Sequence, residues 1–161
     1  MSDTLSALTL ATAVGCGAMG GVFFAFSAFV MPALRDLPSA QGIAAMQSIN
    51  RFAETPAFMT ALMGTAAACL GLGVWAVRSW DRTPAGWMAA GSALYLLGAI
   101  GLTGAANVPL NTRLDKVQPD AAGAADRWAH YVTTWTAWNH LRALACVAAA
   151  VALTVALLQD D

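Results

Sequence analysis

Charged side chains are missing from four long stretches of the chain: residues 4–34, 55–77, 83–112 and 143–159. A helix that crosses a bilayer needs about 20 mostly apolar residues. The first three stretches meet that length, and the fourth does so when extended back to Thr136, which leaves Arg142 near one end. Helices of a water-soluble bundle keep one charged face, whereas residues 59–77 and 86–106 are apolar around the whole circumference. The pattern predicts an all-α, integral membrane four-helix bundle forming a single transmembrane domain over residues 1–161. Its spans are expected at about residues 5–30, 56–78, 85–106 and 136–158.

Proline and glycine punctuate this pattern. Pro32 lies just past the first span, and residues 31–55 form a long connection. Within it Ser39 is expected to cap a short helix that aligns Ile43, Met46, Ile49 and Phe52 along one side, an amphipathic segment lying at the membrane interface. Thr55-Pro56 and Thr83-Pro84 read as helix starts, a capping hydroxyl followed by proline at the first helical position. Trp80 and Trp87 suit an aromatic belt. Pro109 is expected to kink or end the third helix. Pro119-Asp120 opens a last helical stretch that is long enough to reach Leu158 and has a plausible bend near residues 132–134. Gly15, Gly17, Gly20 and Gly21 in the first helix, and Gly98, Gly101 and Gly104 in the third, offer close approach between helices.

Composition agrees: 58% of residues are hydrophobic and 11% charged, against about 25% charged in soluble domains. A net charge of −1 gives no reason to expect nucleic acid as a partner. Cys16, Cys69 and Cys146 sit singly and deep in three apolar windows, as small packing residues and not as a disulfide or zinc framework. The N-terminal apolar run lacks a basic start and is too long to read as a cleaved signal peptide.

With four antiparallel spans, the end of helix 1, the start of helix 2, the end of helix 3 and the start of helix 4 share one membrane face. That face collects Arg35, Asn50, Arg51, Glu54, Asn107, Asn111, Arg113, His130, Trp135, Asn139, His140 and Arg142. The other has a short turn from Arg78 to Arg82 and a terminus ending in Asp160-Asp161. Five basic residues (Arg35, Arg51, Arg113, Lys116 and Arg127) mark the two long connections, against Arg78 and Arg82 opposite. The basic side faces the cytoplasm by the positive-inside rule, so both termini are expected outside it. Trp128, Trp135, Asn139 and Arg142 are spaced by seven, four and three, and so share one helical face. Polar groups at this depth pair with each other or line a cavity, because unpaired ones are costly in hydrocarbon.

At these residues the chain resembles a family of small membrane proteins, the anthrone oxygenase-like family. The similarity rests on Gly21-Val-Phe-Phe-Ala-Phe-Ser, Pro32-Ala-Leu, Met46-Gln-Ser-Ile-Asn50, Asn107-Val-Pro-Leu-Asn111 and Trp135-Thr-Ala-Trp-Asn139-His-Leu-Arg142, in that order and at these spacings. The resemblance implies a four-helix membrane bundle. For the fungal members it implies oxidation of an anthrone to an anthraquinone by molecular oxygen, with no dissociable cofactor. Bacterial relatives make a bacterial inner membrane the expected location.

An anthrone carries an acidic methylene between two aromatic rings, and its enolate reacts with oxygen directly. A protein that promotes this needs a base, donors to the enolate oxygen and a flat apolar slot. Trp135, Trp138 and Phe26 are candidates for the slot, and Arg142, Asn139, Asn107 and Asn111 for polar contacts to the substrate. Glu54 or His140 is the candidate base. Each has a structural alternative. The tryptophans can be interface anchors, Arg142 can snorkel to headgroups, Asn107 and Asn111 can cap the turn around Pro109, and Glu54 can pair with Arg51. His140 points about 100° from Asn139. A metal held by His130, His140 and Glu54 is disfavoured, because no helical spacing brings the histidines to one face.

The leading expectation is therefore a cofactor-independent, monooxygenase-like membrane oxidoreductase for a lipophilic aromatic substrate. A non-catalytic small-molecule-binding or partner subunit stays open beside it. The bilayer and the substrate are the expected partners, and the glycine ridges permit a homo-oligomer.

Overall fold

The computed structural model describes residues 2–159; Met1 and the Asp160-Asp161 end lie outside the described residues. All its regular elements are helices: α1 (Asp3–Asp36), α2 (Ser39–Phe52), α3 (Pro56–Arg78), α4 (Ala85–Leu114) and α5 (Ala124–Leu158). Four of them, all except α2, are long and apolar enough to cross a bilayer. They carry large apolar side chains such as Val14, Leu97 and Leu144 on the outside. A surface of that kind is stable only against lipid, and the chain is an integral membrane protein.

The helices form a ring in which α1 packs on α5 and α3, and α4 packs on α3 and α5. Their shared core brings together Cys16, Met19 and Phe23 of α1, Leu62, Cys69 and Leu72 of α3, Tyr95 of α4, and Cys146 and Leu153 of α5. The sulfurs of Cys16 and Cys69 are 3.9 Å apart, and the Tyr95 hydroxyl donates to the Leu62 carbonyl at 3.1 Å. Small residues set the spacing. Gly15 seats Thr65, Gly20 seats Cys146 and Val147, and Gly98 lies so close to Ala145 that a Cβ there would overlap it. The glycine ridge expected on α4 stops at Gly98, since a Cβ at Gly104 would meet nothing within 4 Å.

Three helices are longer than their expected spans. α1, α4 and α5 contain 34, 30 and 35 residues, or about 45–53 Å at 1.5 Å per residue, against a hydrocarbon layer of about 30 Å. All three overhang on the same side. Pro32 does not end its helix, and Pro109, expected to kink or end the third helix, does not end it. In each case a π-helical segment precedes the proline, Phe26–Val30 before Pro32 and Thr103–Asn107 before Pro109. The wider turn re-routes the backbone hydrogen bonds that a proline cannot join, so the helix continues. α5 is α-helical without interruption from Ala124, with no break near residues 132–134. It begins four residues later than expected, after Gly123, whose φ of 74° turns the chain through the left-handed region.

The overhang explains where α2 goes. Its Ile43 and Met46 are buried against Met31 and Leu34 of α1, Leu114 at the end of α4, and Trp128 and Tyr131 of α5. The expected interfacial helix is present, and its apolar side covers protein; of its large apolar side chains only Phe52 at its end is largely exposed. Gln47 fastens it to the turn after α4, donating to the carbonyls of Leu114 and Val117 at 3.0 and 2.9 Å. Ser39 does not cap α2, which starts from Pro38. Thr55 occupies the N-cap of α3 with Pro56 following, without a side-chain cap bond. At α4 the cap position is Pro84, one residue past the expected one.

Candidate functional site

Where α2 roofs the bundle, the helices enclose a cavity of about 1000 Å³, at the upper end of the range of about 300–1,000 Å³ usual for ligand pockets. Its wall is mostly apolar, with Phe23 and Phe26 from α1, Ile49 from α2, Phe58 and Leu62 from α3 and Ile100 from α4. The polar lining includes Asn50, Glu54, Asn107, Asn111, Asn139 and Arg142, with Arg51 and Asp115 as further charged residues.

The helical face on α5 forms as the spacing predicts, for Trp128, Trp135, Asn139 and Arg142 are all buried. Asn139 uses its amide nitrogen twice, donating to the Phe23 carbonyl at 2.6 Å and to the Ser27 hydroxyl at 2.8 Å. Both acceptors flank the point where α1 changes from α to π pairing, which leaves main-chain carbonyls open to a side-chain donor. Asn107 donates to the Trp135 carbonyl at 3.3 Å. Asn111 accepts from both the Tyr131 hydroxyl and the Trp135 indole N–H, each at 2.8 Å.

The second half of this network is aromatic. Trp128, Tyr131 and Trp135 follow one another along α5 with ring centroids 5.7 and 6.4 Å apart. Phe26 meets Trp135 at 5.9 Å and 50°. Trp135 therefore presents one fixed wall of the cavity, held by its indole nitrogen on one side and by Phe26 on another.

Arg142 is the outlier. It is 5% exposed, its guanidinium carbon stands 3.8 Å from the centre of the Phe23 ring, and its Nε is enclosed with no hydrogen-bond partner. Among the described residues no carboxylate or carbonyl engages the guanidinium. Contact with the ring face offsets part of the cost of burying a cation, but it satisfies none of the N–H donors. Three further buried polar atoms of residues lining the same cavity are also unpartnered: Asn50 Nδ2, Asn107 Oδ1 and Asn139 Oδ1. Unpaired groups of this kind are costly in a dry interior and are rare unless a ligand or water meets them.

Of the residues singled out from the sequence, Phe26, Glu54, Asn107, Asn111, Trp135, Asn139 and Arg142 all line this one cavity. Trp138 and His140 do not. Trp138 is 39% exposed and His140 is exposed too, because each is one residue, or about 100° of helix rotation, from Asn139 on the buried face. Asn139 also differs from expectation in its chemistry: both of its amide hydrogens are committed to α1, so it cannot donate to a substrate oxygen. Arg142 does not snorkel to headgroups, and Asn111 fixes Trp135 and Tyr131 instead of capping a helix end. The ligand set His130, His140 and Glu54 does not assemble: among the described residues no group of three His, Cys, Asp or Glu is placed to hold a metal ion.

Sequence reasoning missed Phe23, Ser27 and Tyr131. Each lies four residues from a residue already noted or from another of the three, at the i, i+4 spacing of a shared helical face. Asn50 was placed at the same end of the bundle but not in the site.

No curated protein and no solved structure matches the chain. The family model described as anthrone oxygenase matches residues 52–152, which runs from the end of α2 through most of α5. That stretch carries Glu54, Asn107, Asn111, Trp135, Asn139 and Arg142, and α1 and α2 complete the cavity around them. The chain belongs to the anthrone oxygenase family.

Proposed function

We propose that the protein oxidises a lipophilic aromatic substrate of the anthrone type with molecular oxygen inside this cavity, without a dissociable cofactor. The observation that carries the reading is the partnerless Arg142, a buried cation bordering an apolar cavity of ligand size. A cation so placed stabilises negative charge that develops on a bound molecule, and the low local dielectric strengthens that effect.

The chemistry runs in three steps. Glu54 at the cavity wall takes a proton from the methylene carbon, and the resulting enolate places its oxygen near Arg142 and the free amide hydrogen of Asn107. The electron-rich carbon passes an electron to O2 and recombines with it, giving a hydroperoxide after protonation. Loss of water from the hydroperoxide forms the new carbonyl. The balance is one anthrone plus one O2 giving one anthraquinone plus one water. Trp135 and Phe26 flank the flat ring system, while Asn139 and Asn111 hold the walls in position.

Oxygen uptake by the purified protein with a trihydroxyanthrone tests this. The wild type should exceed the empty-detergent rate, and Arg142→Met should fall towards it. Equal rates in all three would eliminate the reading. A substrate that binds to the wild type without turnover would favour the non-catalytic alternative, a membrane small-molecule-binding subunit. A cytoplasmic-side cavity, with both termini outside the cytoplasm of a bacterial inner membrane, belongs to the same proposal and is supported by the excess of Arg and Lys on the overhanging side.

A further inference from the structure

The cavity has a gap in its wall. α3 packs on α4 along Ala85–Ala93 and Leu94–Gly101, but it makes no comparable contact with Thr103–Asn107 or with Val108–Leu114 beyond it. The first two turns of α3 thus stand apart from the last two of α4. The residues bordering the gap are cavity-lining on both sides: Met59 and Met63 from α3, and Thr103, Gly104 and Val108 from α4.

Three observations show that the gap leads outwards. Met59, Met63 and Val108 line the cavity and are at the same time 39%, 48% and 47% exposed. A side chain that faces a cavity and the outer surface together marks an opening between them. Met59 lies fourteen residues, close to four helical turns, before Gly73, which packs against Ser92 of α4; the methionines therefore occupy the flank of α3 that faces α4. Across from them, a Cβ at Gly104 would have no neighbour within 4 Å.

Depth decides what lies outside. Met63 is seven residues, or about 10 Å, inside the start of α3, so the opening sits at the level of the hydrocarbon and not of the headgroups. Its rim is apolar apart from the Thr103 hydroxyl, which is turned back onto the Ala99 carbonyl at 2.6 Å. Unbranched methionines adapt to passing molecules of varied shape.

We propose that the cavity opens sideways into the bilayer between Met59 and Met63 of α3 and Gly104 of α4, and that its ligand enters from the hydrocarbon layer instead of from water. The proposal rests on the reading that the cavity takes a lipophilic aromatic molecule. It makes membrane partitioning part of substrate selection, and it gives the product the same way out.

The test uses the full chain in lipid nanodiscs and a fluorescent hydroxyanthraquinone as probe, so that binding is read without turnover. Association should scale with the mole fraction of probe in the lipid when lipid composition is varied, so that the partition coefficient changes, at fixed free aqueous concentration. Gly104→Trp, which fills open space, should slow association at least tenfold, with Gly104→Leu intermediate. Met63→Trp gives the same plug from the α3 side, at an exposed position that leaves the core unchanged. Rates that follow the aqueous concentration, or plugged proteins that bind as fast as the wild type, would overturn the lateral opening alone. No probe binding to the wild type would remove the cavity reading together with it.

Discussion

Asn139 and Phe23 are joined by a 2.6 Å hydrogen bond from the side-chain amide of one to the main-chain carbonyl of the other, and the same Phe23 carries the Arg142 guanidinium over its ring. One residue of α1 is thus held twice by α5, through its backbone by Asn139 and through its side chain by Arg142, one turn apart. The two contacts do different work. The first is a satisfied bond that fixes helix separation, and the second leaves a cation with unspent hydrogen-bonding capacity beside the cavity. Substitutions at the two positions should therefore separate stability from activity.

Arg142→Met keeps an unbranched, though shorter, side chain and removes the charge together with the guanidinium that lies over Phe23. Loss of one donor to a developing oxyanion costs about 10²–10³ in turnover, and a drop of that order in oxygen uptake is expected. Because the guanidinium has no polar partner to orphan, the melting temperature in detergent should hold or rise. A large loss of stability would mean that an unrecognised partner exists.

Asn139→Leu has the opposite signature. It removes the side-chain donor from the Phe23 carbonyl, which keeps the Phe26 N–H, and from the Ser27 hydroxyl in a buried site, at a cost of about 1–3 kcal/mol. Unfolding in a denaturing detergent should show that loss, and Ser27→Ala in the same background should recover part of it.

Glu54→Gln removes the proposed base while leaving its shape. General-base contributions of about 10²–10⁴ set the expected fall in rate. His140→Gln, on the outer face of α5, should stay within about twofold of the wild type on the same principle that only a group within reach of the substrate can transfer its proton. A greater loss at His140 than at Glu54 would reverse the assignment.

Asn111→Ala should release the Trp135 indole and the Tyr131 hydroxyl together. Tyr131→Phe removes one arm of the same network, so the double variant is expected to fall short of the sum of the two single effects by about 0.5 kcal/mol or more. Tryptophan fluorescence in detergent reads the change at Trp135, and additive effects would show that the two bonds to Asn111 act separately.

Gly98→Val should weaken the bundle by about 1–3 kcal/mol through overpacking, because its Cβ position is already occupied by Ala145. Gly104→Ala, six residues on in the same helix, meets nothing and should be neutral or stabilising by up to about 1 kcal/mol. The pair is compared by thermal unfolding, with equal effects as the disconfirming result.

The spans were legible because hydrophobicity that wraps a whole helix leaves no other solvent than lipid, and parity of crossing then placed Asn107 and Arg142 at the same end of the bundle. Periodicity along α5 put Trp135, Asn139 and Arg142 on one face before any neighbour was known. What it could not supply was the identity of that neighbour: nothing in the sequence marks the Phe23 carbonyl as the acceptor for Asn139, because the acceptor is main chain. The helix end was misjudged at Pro32, and Pro109 does not end its helix, for a related reason. Proline signals a broken backbone bond, and a π turn that absorbs the break has no residue signature of its own. Trp138 and His140 were drawn into the site by proximity in sequence to Asn139, although 3.6-residue geometry already turns them away.

A π segment is an α-helix carrying one surplus residue, and two of the helices that border the cavity bear such a segment just ahead of a proline. Deleting a single residue from Thr103–Asn107 would remove the surplus there and swing everything beyond it by about 100°, carrying Asn111 away from Trp135. The count of residues between landmarks is therefore a ruler in this protein. Side chains along the two helices can be exchanged one at a time, but a one-residue change in length at either place dismantles the aromatic wall.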